Sequence, residues 1–177
     1  MTILINKSDL IANTEIFPTI KDQTVNRFVK DAQLLDLRPQ MGEEFFFDFM
    51  QNISEQKNQD IFNEKIYSYN NNMYLSSGIK EALIQYAYAR IIKYGSYVST
   101  PFGVQVKDHR DSRETTLNEK NSLFKQHQSI AAEHMRTVFD FIKRNKDQYP
   151  LFNICCGSTK RKFKMSVISN NKNNYKL

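Results

Sequence analysis

The sequence predicts an all-α fold. We expect a helical bundle of four to five helices, with a protruding β-hairpin or long loop between the last two long helices and an extended C-terminal arm. An apolar stripe with a period near 3.6 runs from about Thr116 to Lys146. A second helical pattern, GIKEALIQYAYARIIKY, lies between Ser77 as N-cap and Gly95 as C-terminal cap. After Pro150 no helical period continues, which predicts the arm.

Size and composition limit the class of protein. The 177 residues fit one domain, and 40% hydrophobic residues, with thirteen Phe and nine Tyr, are enough to build a core. There is no run of eighteen apolar residues and no signal-peptide pattern at the start, so we expect a soluble protein without a membrane contact. Cys155 and Cys156 are adjacent and offer no disulfide framework, which fits a reducing cytoplasm.

The net charge of +6 is unevenly distributed. Residues 1–105 hold ten Lys or Arg against twelve Asp or Glu, a net of −2, and residues 106–177 hold fifteen against seven, a net of +8. Residues 151–177 hold six Lys or Arg and no acid. Basicity is therefore a property of the C-terminal arm, which can bind phosphates or an acidic protein face.

The first half of the chain predicts three helices before residue 70. One runs from about Asp22 to Leu37 and ends at Arg38-Pro39, because the residue before proline avoids the helical region. The next begins near Met41 and turns Phe45, Phe46 and Phe49 inward. Residues 56–69 are interpreted as a weaker, mostly solvated helix, followed by the loop Asn70-Asn71-Asn72.

The two long helices are expected to have different roles, one at the centre of the fold and one partly packed on a neighbouring molecule. We expect the helix of residues 78–94 at the centre of the fold. A final helix of thirty residues spans about 45 Å, which is long for a 20.9 kDa monomer and indicates packing on a neighbour. Between them, SYVSTPFGVQVKDHRDS is rich in β-formers around a Pro-containing turn and predicts the hairpin or loop. The chain divides into a helical domain, 1–150, with a reaching loop at about 96–115, and the arm, 151–177.

The residue types of catalytic and metal sites occur without the necessary spacing. His127 and His134 are seven residues apart, so their rings would lie about 10 Å from each other along a helix, too far to share one ion. His109 stands beside carboxylates in a loop, without a nucleophile motif. We therefore expect no enzyme activity, no cofactor and no metal.

A DNA-binding module acting through its basic tail remains the alternative. The cations Lys160, Arg161, Lys162 and Lys164 alternate with Phe163, and Lys172 and Lys176 flank Tyr175. Cations and aromatic rings in such a pattern can follow a nucleic-acid backbone. No helix-turn-helix, zinc or RNA-recognition signature accompanies them.

The order of motifs resembles that of one known family. Residues 35–45, LDLRPQMGEEF, precede the Tyr- and Ala-rich stretch Tyr86-Ala87-Tyr88-Ala89-Arg90, then Thr100-Pro101-Phe102-Gly103-Val104, then the long final helix. Residues 1 to about 150 are in this order similar to the head-tail connector (adaptor) proteins of tailed bacteriophages. The Lys- and Asn-rich composition and long tail look most like the ring proteins of crAss-like phages.

This resemblance implies a virion structural protein made in the host cytoplasm. Such protomers assemble, commonly as a twelve-fold ring, beneath the portal protein, contact other tail or connector proteins, and line the channel through which the DNA passes, where they make non-specific contact with it. The reaching-loop interface implied here is Tyr97, Val98, Thr100, Pro101, Phe102, Gly103, Val104 and Val106. The arm interface is Lys160, Arg161, Lys162, Phe163, Lys164, Val167 and Ile168. The arm lacks the helical C-terminal segment of that family.

Overall fold

The computed structural model describes residues 2–16, 18–95, 97–100, 103–106 and 116–152, with backbone alone for 97–100 and 103–106. The protein is mostly helical. Its helices are α1 (Lys7–Asn13), α2 (Asp22–Ala32), a π-helical segment (Gln33–Leu37), α3 (Arg38–Met41), α4 (Glu43–Gln51), α5 (Gln56–Phe62), α6 (Gly78–Tyr94), α7 (Leu117–Arg144) and a 3-10 turn (Lys146–Gln148). Its strands are β1 (Lys65–Tyr69), β2 (Asn72–Ser76), β3 (Tyr97–Thr100) and β4 (Gly103–Val106).

Helix α6 lies at the centre, as the sequence predicts. It packs against α7, α2, α5 and α1. Its buried residues occupy more than one face, so that neighbours surround it: Ile79, Ala82, Leu83, Ile84, Tyr86, Ala87 and Ala89. Helix α4 adds Phe45, Phe46 and Phe49 to the same core, and all three are buried as expected.

The expected helix end at Arg38-Pro39 is wrong. The helix continues from α2 through the π-helical segment into α3, and it ends only at Gly42, whose φ is +82°. Proline lacks an N–H and its ring crowds the carbonyl four residues earlier. The π-helical segment removes that conflict because its bonds run five residues back; the Arg38 N–H donates to the Gln33 carbonyl oxygen.

The expected helix over residues 56–69 is also wrong in its second half. Helix α5 ends at Phe62, and β1 then pairs antiparallel with β2. Asn70 and Asn71 form the two-residue turn, with φ of 49° and 62°. These left-handed conformations are typical of the type I′ turn that matches strand twist, and Asn tolerates them better than most residues. The segment therefore forms a hairpin.

The later elements agree with the predicted pattern. Helix α7 begins after Thr116, whose hydroxyl accepts from the Glu119 N–H in a capping box, and it ends within two residues of the expected position. Strand β3 pairs antiparallel with β4, which gives a hairpin between the two long helices. Ser77 holds the N-cap position of α6 but makes no side-chain cap hydrogen bond.

Candidate interaction surfaces

The β1–β2 hairpin has an inner face that packs on α7. Tyr67 and Tyr74 are cross-strand partners on this face, and their rings stack with centroids 5.7 Å apart. The Tyr67 ring also meets the buried Phe141 ring edge-on at 4.7 Å. Aromatic pairs of this geometry add to the free energy that burial alone supplies. The inner face thus attaches the hairpin to the helical core.

Arg144, in the last turn of α7, fastens this face. Its guanidinium carbon lies 3.6 Å from the centroid of the Tyr74 ring, and its Nη1–H donates to the Tyr67 hydroxyl at 2.6 Å. The Tyr69 ring centroid lies 5.4 Å from the same carbon. A guanidinium that stacks on one ring and bonds a second residue is held by cation–π attraction and a charge-assisted hydrogen bond. We call these four residues the arginine clamp.

The outer face of the same hairpin is apolar and exposed. Ile66 and Leu75 are cross-strand partners, as are Ser68 and Met73. The exposed fraction is 64% for Ile66, 70% for Met73 and 51% for Leu75. Single exposed apolar residues are ordinary, but three neighbours on one face form a patch of the kind that marks contact sites. We call this set, Ile66, Met73 and Leu75, the outer apolar face.

The N-terminal half of α7 presents further apolar residues to solvent. Leu123 and Ile130, seven residues apart and so on one helix face, are exposed, and Leu117 is exposed on another face, whereas Ala131, Met135, Val138 and Ile142 of the C-terminal half are buried. The long stripe predicted from the sequence is therefore only half covered by the described part of the chain. The contrast gives α7 a second candidate contact surface, distant from the hairpin.

A cleft of about 580 Å³ lies where α1 ends beside α6 and α7. His127 faces it, and its Nδ1–H donates to Gln85 Oε1 at 2.8 Å while its ring meets that of Tyr88 at 4.8 Å. Burial lowers the pKa of His127 below its usual value of 6.5. The pKa of the Tyr88 hydroxyl is raised by burial and by the carboxylate of Glu15. These contacts make His127 a neutral packing residue at the edge of the core.

One ion pair stands largely inside the protein. Arg90 of α6 donates from Nε to Asp36 Oδ2 at 2.7 Å, and the two side chains are only 13% and 12% exposed. Gln128 of α7 donates to the other oxygen of Asp36 at 3.4 Å. Asp36 belongs to the π-helical segment, so the pair ties that segment to both long helices. Its evident role is to position these helices.

Within the part of the chain that the structure describes, no group of three or more His, Cys, Asp or Glu could hold a metal ion. No helix within the same residues is both long and apolar enough to cross a membrane. His134 lies on α7 and its backbone carbonyl accepts from the Thr137 hydroxyl at 2.8 Å. His109, Cys155 and Cys156 lie outside the described residues.

The predicted interface residues are placed only in part. Tyr97, Val98 and Thr100 lie on β3, and Gly103, Val104 and Val106 lie on β4, as backbone positions. Pro101 and Phe102 lie outside the described residues, as does the whole set of arm residues from Lys160 to Ile168. Their role in an interface stays a prediction.

The outer apolar face was missed at the level of sequence, although a signal exists. In KIYSYNNNMYLS, alternating residues flank an Asn-Asn pair, and Asn is one of the few residues that adopt the left-handed conformation of a two-residue turn. The alternation is obscured because large side chains stand on both faces: Tyr67 and Tyr74 on the inner face, and Ile66 and Leu75 on the outer face. The predicted helix over residues 56–69 includes the segment that forms β1, whereas the loop predicted at Asn70-Asn71-Asn72 coincides with the turn.

Comparison with protein families gives one result. Residues 37–162, more than two thirds of the chain, match a family of unknown function, DUF6712, and the chain belongs to that family. The match begins in the π-helical segment, includes both hairpins and both long helices, and continues past the predicted boundary at residue 150. No curated protein matches the chain. No solved structure matches it either.

Proposed function

We propose that this member of the DUF6712 family is a non-enzymatic virion structural protein. It is a protomer of a head-tail connector ring beneath the portal protein, and it joins the capsid vertex to the tail and lines the DNA passage. Its partners are further copies of itself, commonly twelve in a ring, the portal, and other tail or connector proteins. It acts in the virion after synthesis in the host cytoplasm.

The outer apolar face carries this proposal. Ile66, Met73 and Leu75 are exposed on a hairpin that is fixed to α7 by the arginine clamp. Burying a side chain of this size is worth about 1.5–3 kcal/mol, and the single chain gains little of it here. A rigidly held apolar patch that its own fold leaves uncovered fits a protein whose native state includes neighbours.

A second surface explains why the neighbours form a ring. The exposed Leu123 and Ile130 share one face of α7 and lie apart from the hairpin. Contact between two unlike patches on identical chains is heterologous, and it closes into a ring when the rotation between copies permits. Two separated apolar patches therefore support a ring better than a two-fold dimer.

The proposed protomer is a helical bundle with two outward extensions. The reaching loop, residues 96–115 with the β3–β4 hairpin at its base, contacts the adjacent copy, the portal or the next tail component. The arm, residues 151–177, docks on a partner. The resemblance of the motif order to that of head-tail connector proteins supports this arrangement, and so does the position of β3 and β4 between α6 and α7.

The packing of His127 agrees with a non-enzymatic role. Its Nδ1–H is bonded to Gln85 and its ring lies against Tyr88. Burial keeps the imidazole neutral at physiological pH because it lowers the pKa. The residue is thus explained by packing between α6 and α7.

The experiment is sedimentation and native mass measurement of the full chain over a concentration series from micromolar to millimolar. We expect concentration-dependent association that Leu75→Glu abolishes, because a buried unpaired carboxylate is costly. Leu35→Glu is the matched control, since Leu35 is also an exposed leucine but belongs to the π-helical segment, outside the proposed contact surfaces. Association that survives Leu75→Glu, or no association at any concentration, contradicts the proposal.

The six cations of residues 151–177 favour one second candidate, a DNA-binding module. In that case the full chain binds duplex DNA, with affinity that falls steeply as salt rises because counterions are released. Neutralising Lys160, Arg161, Lys162 and Lys164 together should flatten that salt slope. The connector function predicts that Leu75→Glu abolishes self-association. The DNA-binding function predicts that neutralising the arm abolishes binding to duplex DNA.

A further inference from the structure

The β1–β2 hairpin has one open backbone edge. Tyr69 and Asn72 flank the two-residue turn and are register partners, so they form a hydrogen-bonded pair. Alternation along an antiparallel ladder then makes Ile66 and Ser68 members of non-hydrogen-bonded pairs. Their N–H and C=O groups point away from β2, toward the free side of β1.

The other edge lies beside the helical core. Strand β2 packs against α7, and the Ser77 N–H that follows it donates to the Thr137 hydroxyl at 3.0 Å. On the β1 side, no backbone hydrogen bond outside the ladder involves Ile66 or Ser68 among the described residues. An open strand edge is a template for another strand. Strand β1 therefore presents an open edge within the part of the chain that the structure describes.

The side chains beside this edge suit an added apolar strand. Ile66 stands on the outer face next to the edge, with Leu75 and Met73 behind it on β2. A third strand would place its own alternate side chains against Ile66 and extend the outer apolar face across three strands. Strand addition of this kind takes its affinity from main-chain bonds and its specificity from alternate side chains.

One segment of this chain has the required pattern. Residues 163–168, FKMSVI, alternate Phe163, Met165 and Val167 on one side with Lys164, Ser166 and Ile168 on the other. These residues lie outside the described part of the chain, so the match rests on sequence pattern.

The arm is long enough to reach another copy. The described chain ends at Phe152, whose ring stacks on Phe139 at 5.3 Å. The ten residues from 153 to 162 span at most about 35 Å when extended. A domain of 150 residues has a diameter of roughly 38 Å. The segment can therefore reach an adjacent copy whose β1 edge lies within about 35 Å of Phe152.

We propose that β1 accepts residues 163–168 of a neighbouring copy as a third strand. This inference rests on the proposed assembly of like chains and specifies one contact within it. Each copy then gives an arm and receives one, which is a heterologous contact that propagates around a ring. The contact also assigns the arm residues Phe163, Val167 and Ile168 a defined partner surface.

Mixed cross-linking of full chains tests this contact. Both chains carry Cys155→Ser and Cys156→Ser; one adds Ser68→Cys, and a second, distinguished by a tag, adds Ser166→Cys. A short bismaleimide should join them into a mixed dimer, with a yield at least about tenfold above a control chain with Ser122→Cys, because docking raises the local thiol concentration. Ser68 and Ser122 are both exposed, and Ser122 lies about 22 Å along α7 from Thr137.

Each outcome decides the point. A mixed dimer specific to position 68 supports strand exchange between copies. Equal yield at positions 68 and 122 overturns it, and so does no cross-link. A chain with both Ser68→Cys and Ser166→Cys that cross-links only within itself shows that the arm returns to its own hairpin, which also overturns it. Native mass separates the two proposals: particles without this cross-link refute the strand exchange alone, whereas monomers at every concentration refute the assembly itself.

Discussion

Helix α6 and the β1–β2 hairpin use the same apolar residue types in opposite ways. Leu83 on α6 is completely buried, with α2, α5 and α7 around the helix. Leu75 on β2 is half exposed, while its neighbour Tyr74 is fastened by Arg144. Burial of apolar side chains around α6 therefore stabilises the fold, whereas the apolar side chains on the outer face of the hairpin stay exposed in the single chain. What a hairpin face does not contribute to its own chain is available for a partner.

The largest expected effect is the difference in the free energy of unfolding between truncation of Leu83 and truncation of Leu75. Leu83→Ala removes buried methyl groups and leaves a cavity, so we expect the free energy of unfolding to fall by about 2–5 kcal/mol. Leu75→Ala removes the same atoms from an exposed site, and we expect a change of about 0.5 kcal/mol or less in the monomer. Urea unfolding at low protein concentration measures both. Equal losses would mean that the outer apolar face is already covered within one chain.

The arginine clamp provides a second, smaller test. Arg144→Ala removes the stacking on Tyr74 and the hydrogen bond to Tyr67, and we expect a loss of about 1–2 kcal/mol. Amide hydrogen exchange should show the loss as faster exchange in β1 and β2, with α6 little affected.

Lys143→Ala is the matched control for that change. Lys143 is adjacent, is more exposed, and pairs only with Asp140 at 3.5 Å, so its removal should cost about 0.5 kcal/mol or less. If both variants destabilise equally, or if exchange rises throughout the protein with Arg144→Ala, the hairpin is not held as a separate unit by the clamp.

The helical core was predictable because its signals are local and repeated. The stripe of α7 and the capped pattern of α6 persist over several turns, and the Phe-rich helix α4 has few alternatives to burial. The helix through Pro39 was not predictable from proline alone, because a π-helical segment accommodates the ring. The first residue of that segment, Gln33, is buried and hydrogen-bonded to Leu4 and Thr2 near the N-terminus. Such a contact is distant in sequence.

The candidate surface was less accessible to prediction than the core. An exposed apolar face on a hairpin has the same alternation as a buried one, and only the packing of Tyr67 on Phe141 decides which face turns inward. The function of the reaching loop and of the arm depends on other molecules. Their sequence pattern indicates extended structure, but it does not identify the partner surface.

The smallest effect concerns the pH dependence of stability. It tests whether the contact between α6 and α7 at His127 is closed to water. Burial lowers the pKa of His127 in the folded state below the 6.5 of an exposed histidine. Above about pH 6.5 the imidazole is neutral in both states and the full stability is present. As pH falls below that value, the unfolded chain binds a proton that the folded chain resists, so stability decreases until the folded pKa is passed.

His127→Gln isolates this contribution, because glutamine is polar and does not titrate. Urea unfolding of the variant and of the unchanged chain, between about pH 7.5 and pH 5.5, should show a steeper loss of stability on acidification in the unchanged chain. Carboxylates titrate in both proteins and cancel in the difference. An identical pH dependence would mean that His127 is as accessible as a histidine in the unfolded chain, and that the contact between α6 and α7 is open at this end, as the hairpin is at the other.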